Sequence, residues 1–224
     1  MTKTLAFDVY GTLIDTHGVV VRLREFIGDR AGAFSQAWRD KQLEYSFRRG
    51  LMRRYASFAV CTRQALDYTS DQFGVALDTD QKAALMAAYR ELPAFEDVAE
   101  SLAGLKAEGH ALYAFSNGTA EAVEALIAAA SIRALFDGVI SVDDVKTFKP
   151  NPDVYTYLLD RTAASADDTW LISSNPFDVI GAVCSGLRSA WVRRSTQSVF
   201  DPWGIEPTVT ITSLHELGRS IGRD

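Results

Sequence analysis

Two carboxylates stand where side chains do chemistry. Asp8 follows an apolar run and begins Asp8-Val9-Tyr10-Gly11-Thr12, and Asp178 closes Ser173-Ser174-Asn175-Pro176-Phe177-Asp178. A carboxylate can attack carbon and be regenerated through an ester, or it can take a proton as a general base. Between them the chain offers a hydroxyl and an amide in Ser116-Asn117-Gly118 and a cation in Lys149-Pro150. Taken alone, each segment is ordinary turn chemistry. Their weight comes from order and place, because all of them fall at strand ends of one sheet as nucleophile, hydroxyl, lysine and acid.

That sheet is legible in the rhythm of the chain. Residues 4–9 form a short apolar, β-rich run broken at Tyr10-Gly11-Thr12, which predicts a buried strand ending in a loop. From about residue 18 to 92 apolar residues recur three and four apart, with breaks at 28–32, 50, 74–80 and Pro93, which predicts four helices with no strand between them. After Pro93 helices are expected over 96–108, 119–129, 152–163 and 177–185, alternating with strands over 111–115, 138–142, 169–173 and 189–192. Such alternation implies an α/β doubly wound, Rossmann-like parallel sheet with helices on both faces. Residues 1–14 and 93–224 then make the catalytic core, and 15–92 a helical cap inserted after the first strand. In open sheets of this kind ligands bind beyond the carboxyl ends of the strands, where the four polar segments lie.

Composition narrows the function classes. The chain has 224 residues, 47% of them hydrophobic and 23% charged, which is ordinary for a globular protein. Two cysteines, Cys61 and Cys184, cannot build a disulfide framework, so a reducing, cytoplasmic compartment is expected. No stretch resembles a signal peptide or approaches the ~20 apolar residues of a membrane span. A net charge of −6 argues against bulk nucleic-acid binding. The three histidines, His17, His110 and His215, lack metal-ligand spacing and read as structural.

On these residues the chain resembles the haloacid dehalogenase superfamily, whose D-x-x-x-T stands here as Asp8 to Thr12, with the Ser/Thr loop at Ser116-Asn117 and the lysine at Lys149. Most members are magnesium-dependent phosphatases with a second acid two residues after the nucleophile, where this chain has Tyr10. Their adjacent acids for Mg²⁺ are replaced by Ser173-Ser174-Asn175, with one acid at Asp178. A hard cation wants several carboxylate oxygens, so phosphoryl transfer is disfavoured. Both departures match one branch, the type II L-2-haloacid dehalogenases, which use no metal or other cofactor. The likeness continues in Ala37-Trp38-Arg39-Asp40-Lys41-Gln42-Leu43-Glu44-Tyr45, similar to that branch's W-R-x-K-Q-L-E-Y segment, and runs to about Leu217.

The resemblance implies hydrolytic dehalogenation of short L-2-haloalkanoic acids to D-2-hydroxy acids. Asp8 would displace halide from C2 with inversion, and water would then cleave the resulting ester. It implies Thr12 steadying Asp8, Arg39 receiving the halide with Asn117 and Phe177 as neighbours, and Ser116 with Lys149 binding the substrate carboxylate. Asp178 would serve as base, oriented by Ser173, Asn175 and Lys149. Tyr10, Leu43, Phe58 and Phe177 would line the pocket, and Tyr155 would support the carboxylate region. Relatives of this branch are commonly homodimers through the helical insertion. Asp40, where relatives mostly carry Gln, is expected to place an extra carboxylate near the pocket mouth. Two other readings stay open on the sequence: a hydrolase opening a strained ring such as azetidine-2-carboxylate at the same site, and a non-catalytic binder of small carboxylates.

Overall fold

The computed structural model describes residues 2–222. In chain order it contains β1 (Thr4–Asp8), α1 (His17–Ile27), α2 (Ala31–Leu51), α3 (Phe58–Phe73), α4 (Thr79–Ala88), α5 (Val98–Ala107), β2 (Ala111–Ser116), α6 (Ala120–Ala129) and β3 (Gly138–Ser141). It continues through α7 (Pro152–Thr162), β4 (Thr169–Ser173), α8 (Pro176–Cys184), β5 (Arg188–Val192), β6 (Val209–Ile211) and α9 (Leu217–Ile221). The strands form one sheet in the order β3-β2-β1-β4-β5-β6, and every neighbouring pair is parallel. Among the described residues no helix is long and apolar enough to cross a membrane.

β1 lies mid-sheet and is covered on both faces, which is why it reads as an unbroken apolar run. Its residues divide by parity. Leu5 and Phe7 enter an apolar cluster with Val98 and Leu102 of α5 and Val123 and Leu126 of α6. Ala6 faces the other way, into a cluster with Val154 and Leu158 of α7 and Ala182 of α8. The doubly wound architecture expected from the alternation is therefore present.

The four helices between β1 and α5 start and stop on local signals. Asp78 and Gln81 form a capping box at the start of α4, and Gly74 ends α3 with a left-handed φ of 60°. Their buried faces, carrying Leu23, Phe34, Trp38, Leu66 and Leu85, belong to the same apolar cluster as Leu5 and Phe7. Aromatic pairs join these helices to the loops above the sheet: Tyr10 with Phe58 at 6.5 Å, Phe47 with Phe177 at 5.1 Å, and Tyr55 stacked on Phe148 at 5.0 Å. The Tyr55 hydroxyl also donates to Asp143.

Two elements lie outside the expected alternation. β6 is a three-residue edge strand, too short to show a period of two, and α9 is a five-residue helix. After Pro93 the other differences are shifts of one or two residues at element ends, whereas among the inserted helices α3 starts only at Phe58, several residues past the expected break at 50, and α4 stops at Ala88, short of Pro93.

Candidate active site

The carboxyl ends of the central strands bring the polar segments together. In register, Asp8 lies beside Phe115 of β2, Ser116 beside Ser141 of β3, and Ser173 beside Trp191 of β5. Beyond Asp8 the chain curls back. The Val9 carbonyl accepts the amides of Leu13 and Ile14 at 3.0 Å each, and Gly11 turns with φ 84°, a conformation that a β-carbon would strain. This turn returns the Thr12 hydroxyl to Asp8, where it donates to Oδ2 at 2.8 Å.

Asn175 donates to that same oxygen from its side-chain amide, also at 2.8 Å. Among the described residues the other oxygen, Oδ1, meets only the Lys149 ammonium, at 3.2 Å. One carboxylate oxygen is thus doubly held by neutral donors, and the other faces a single cation. The Asp8 side chain keeps 11% of its accessibility, so it is open on one side.

Lys149 is buried and uses every proton it has. Besides Asp8 it donates to the Phe115 carbonyl at 2.9 Å and to Asp178 Oδ2 at 2.7 Å, while lying 4.2 Å from the centre of the Phe115 ring. Burial alone would lower its pKa, but Asp178 and Asp8 outweigh burial and raise it, so the side chain stays charged. Asp178 is fully buried and receives the Tyr155 hydroxyl on Oδ1 at 2.8 Å. Burial raises the Asp178 pKa and nearby Asp8 adds to the rise, against the pull of Lys149. The result is a more basic carboxylate than usual.

Several expected groups make contacts other than those the resemblance implied. Asn175 orients Asp8 rather than Asp178, and the Ser173 hydroxyl accepts the amide of Asn175 at 3.1 Å. Lys149, with its three protons committed, has none left for a substrate carboxylate. Ser116 is better placed for that: its oxygen accepts the Gly118 amide at 3.1 Å and its own proton stays available. The Asn117 side-chain oxygen accepts the Lys149 backbone amide at 3.0 Å, which fixes the lysine loop. Tyr155, expected to support the carboxylate region, lies fully buried beneath Asp178 with its hydroxyl on that acid.

Arg39 projects from α2 beside Tyr10 and Tyr89, and its Nη1 donates to Gln42 Oε1 at 2.8 Å. Burial pushes both tyrosine hydroxyls up to about 12, and Arg39 opposes that rise at each. The halide-binding expectation gave Arg39 the neighbours Asn117 and Phe177, yet Arg39 bonds to Gln42 and acts electrostatically on the two tyrosines, while Phe177 pairs with Phe47. Asp40 is exposed and accepts the side-chain amide of Gln36 at 2.8 Å, turned to solvent along α2. The extra carboxylate expected at the pocket mouth is therefore bound up on the outer face of the helix.

A cavity of about 330 Å³ opens beside Tyr10, walled by Gln42, Phe58, Met86, Tyr89 and Gly118. Leu43 is half-buried against Phe58 and Phe148. Tyr89 and Met86 lacked any sequence signal beyond helical spacing, and Gln42 stood in the W-R-x-K-Q-L-E-Y-like segment without an assigned role; the packing of α2, α3 and α4 over the loops brings them here. The donor set does not suit a divalent cation. Among the described residues no three of His, Cys, Asp and Glu converge, and the space between the two buried carboxylates is filled by the Lys149 ammonium.

The family model for haloacid dehalogenase-like hydrolases matches residues 2–186. An (S)-2-haloacid dehalogenase of Pseudomonas sp. (strain YL) is 38% identical over 96% of this chain and 92% of its own length. One from Xanthobacter autotrophicus is 40% identical over 88% of this chain and 77% of its own. The solved structure of L-2-haloacid dehalogenase from Xanthobacter autotrophicus with chloropropionic acid covalently bound superposes with a TM-score of 0.93 at 33% identity, covering 100% of this chain and 99% of that one.

Proposed function

The chain belongs to the haloacid dehalogenase-like hydrolases, and from that premise we propose that it is an (S)-2-haloacid dehalogenase converting short L-2-haloalkanoic acids to D-2-hydroxy acids without metal. The observation that carries the reading is the asymmetry of Asp8, with Oδ2 held by Thr12 and Asn175 and Oδ1 left to Lys149. The ring-opening and binding-only readings have no support among the relatives described above.

In the first step Oδ1 gives an electron pair to C2 of the substrate, in line with the carbon–halogen bond. That bond breaks with its electrons on the halide, C2 inverts, and an ester of Asp8 remains. Ser116 holds the substrate carboxylate with its free proton. Arg39 receives the departing halide beside Tyr10, where its guanidinium offsets the negative charge. Leu43, Phe58 and Phe177 supply apolar walls that suit short chains.

In the second step water attacks the Asp8 carbonyl carbon and gives a proton to Asp178, whose raised basicity fits that task. Charge gathers on Oδ2, where Thr12 and Asn175 already donate. Collapse breaks the bond between the Asp8 carbonyl carbon and Oδ1, and the alkoxide takes the proton from Asp178. Asp8, keeping the oxygen of water, releases water's second proton to solvent and is a carboxylate again. Lys149, touching both carboxylates, balances their charge throughout.

We read the enzyme as a cytoplasmic homodimer. Support for the compartment is that Cys61 and Cys184 are both unpaired. Support for the dimer is the end of α2, where Leu51 at 87% and Met52 at 60% exposure stand among Arg48, Arg53 and Arg54. The deciding test of the activity is halide release from L- and D-2-chloropropionate, with and without a chelator, against Asp8→Asn. Chelator-resistant chloride from the L form alone, lost in the variant, is expected. Absence of chloride from both forms overturns the reading.

A further inference from the structure

The loop carrying Asp8 is gripped from behind by a residue that no step above uses. Arg194 follows β5, in the part of the chain that lies beyond the family-model match. Its Nε and Nη2 both donate to the backbone carbonyl of Thr12, at 3.2 and 2.7 Å. Its Nη1 meets the two oxygens of Asp97 at 2.9 and 2.7 Å. Asp97 is anchored in turn by the Ser213 hydroxyl at 2.9 Å and the Leu214 amide at 2.8 Å. Burial pushes the Asp97 carboxyl up, but Arg194, Leu214 and Ser213 outweigh it and hold the group below the usual range, so the pair stays ionised at neutral pH. The guanidinium also lies 4.2 Å from the centre of the Phe95 ring, and the Phe95 amide donates to the Leu13 carbonyl at 2.9 Å.

Thr12 is fully buried, so its carbonyl has no water to turn to. Its hydroxyl sits at a crossing, donating to Asp8 Oδ2 at 2.8 Å and accepting the Ser174 amide at 2.8 Å. A planar guanidinium that grips one carbonyl with two N–H groups, and is itself gripped by a carboxylate, fixes direction as well as distance. Moving Thr12 by a fraction of an ångström would therefore loosen the donor to Oδ2 before it touched any group that contacts substrate.

We propose that Arg194 is a positioning residue for the nucleophile: acting through the Thr12 carbonyl, it keeps the Thr12 hydroxyl on Asp8 Oδ2 and so sets the rate of ester hydrolysis. The proposal rests on the reading of Asp8 as the ester-forming group. The two chemical steps depend on it unequally. During alkylation Asp8 loses charge, and Lys149 and Asn175 remain in place. During hydrolysis charge builds on Oδ2 itself, so a displaced Thr12 slows the second step more than the first.

The test uses the full chain with L-2-chloropropionate, comparing wild type, Arg194→Lys, Arg194→Gln and Asp8→Asn. Arg194→Gln is expected to lose about tenfold in kcat with KM falling in parallel and kcat/KM within about twofold of wild type, because a slowed second step limits turnover only after the ester has formed. Intact mass measured during turnover should show the ester, one propionate heavier, accumulating in Arg194→Gln and scarcely in wild type. Arg194→Lys, which keeps the charge facing Asp97 but loses the fork, should fall between them. Thermal melting of each variant separates folding from positioning, since a structural role alone lowers the folded fraction and leaves the ester fraction as in wild type. Wild-type kcat in Arg194→Gln, or a loss that follows the folded fraction with no ester, overturns the proposal. An inactive wild type overturns the functional reading instead, and a fully active Asp8→Asn removes the nucleophile on which both stand.

Discussion

Tyr155 approaches Asp178 twice, its hydroxyl lying 2.8 Å from Oδ1 and 3.0 Å from the backbone carbonyl of the same residue. The bond to Oδ1 lowers the Asp178 pKa, working against the burial that raises it. Tyr155→Phe deletes that bond, so the Asp178 pKa should rise further. The acid limb of kcat, where the base becomes protonated as pH falls, should then move to higher pH. A pH–rate profile with L-2-chloropropionate checks this, and an unmoved limb argues that another group takes the proton. The alkaline side should stay flat until well above neutrality, because the Lys149 pKa is itself raised.

Ser116 and Lys149 divide the work differently from what family likeness suggests. With all three Lys149 protons engaged, the Ser116 hydroxyl, whose oxygen only accepts the Gly118 amide, keeps a proton to offer a substrate carboxylate. Ser116→Ala should cost about 1.5–3 kcal/mol of binding to a charged group, which is roughly 10–100-fold in kcat/KM, mostly as a higher KM. Steady-state kinetics decide, and an unchanged KM would shift the task to backbone amides.

Gly181 in α8 should not tolerate a methyl group. A β-carbon there would stand 2.4 Å from the Tyr155 hydroxyl oxygen and 2.7 Å from Pro150 Cβ. Gly→Ala inside a helix ordinarily stabilises by roughly 1 kcal/mol. Here the sign reverses, and a loss of about 1–3 kcal/mol is expected from overpacking. Denaturant unfolding reads the stability, and the activity should fall with it, since Tyr155 is pushed off Asp178.

Asp40 should prove silent. Exposed and bonded to Gln36, it adds no charge to the pocket. Asp40→Gln should change kcat/KM by less than about twofold, consistent with the small effects of surface substitutions. A larger gain would mean that the α2 side chains rearrange during turnover.

The legible parts of this molecule are those where neighbouring residues carry the signal. Thr4 to Asp8 and Thr169 to Ser173 announce themselves as buried strands because each is an apolar run ended by a turn, and that alone places Asp8 and Ser173 at one sheet edge. Asp78 and Gln81 mark a helix start in the same local way. Partner assignments were less legible. Asn175 and Asp178 belong to one loop, but the curl of residues 8–14 decides that Asn175 reaches Asp8. The Thr12–Arg194–Asp97 chain joins three separate segments by side-chain reach, with no spacing that could signal it. β6 escaped because three residues cannot display a period.

The apolar cluster that runs unbroken from Leu5 and Phe7 into Leu23, Trp38, Leu66 and Leu85 makes the covering helices and the sheet a single cooperative unit. Heat cannot strip one layer and leave the other, because each supplies the buried face of its neighbour. A spectroscopic probe on α3 and another on β4 would therefore report one shared midpoint, and inactivation would coincide with the collapse of the whole molecule.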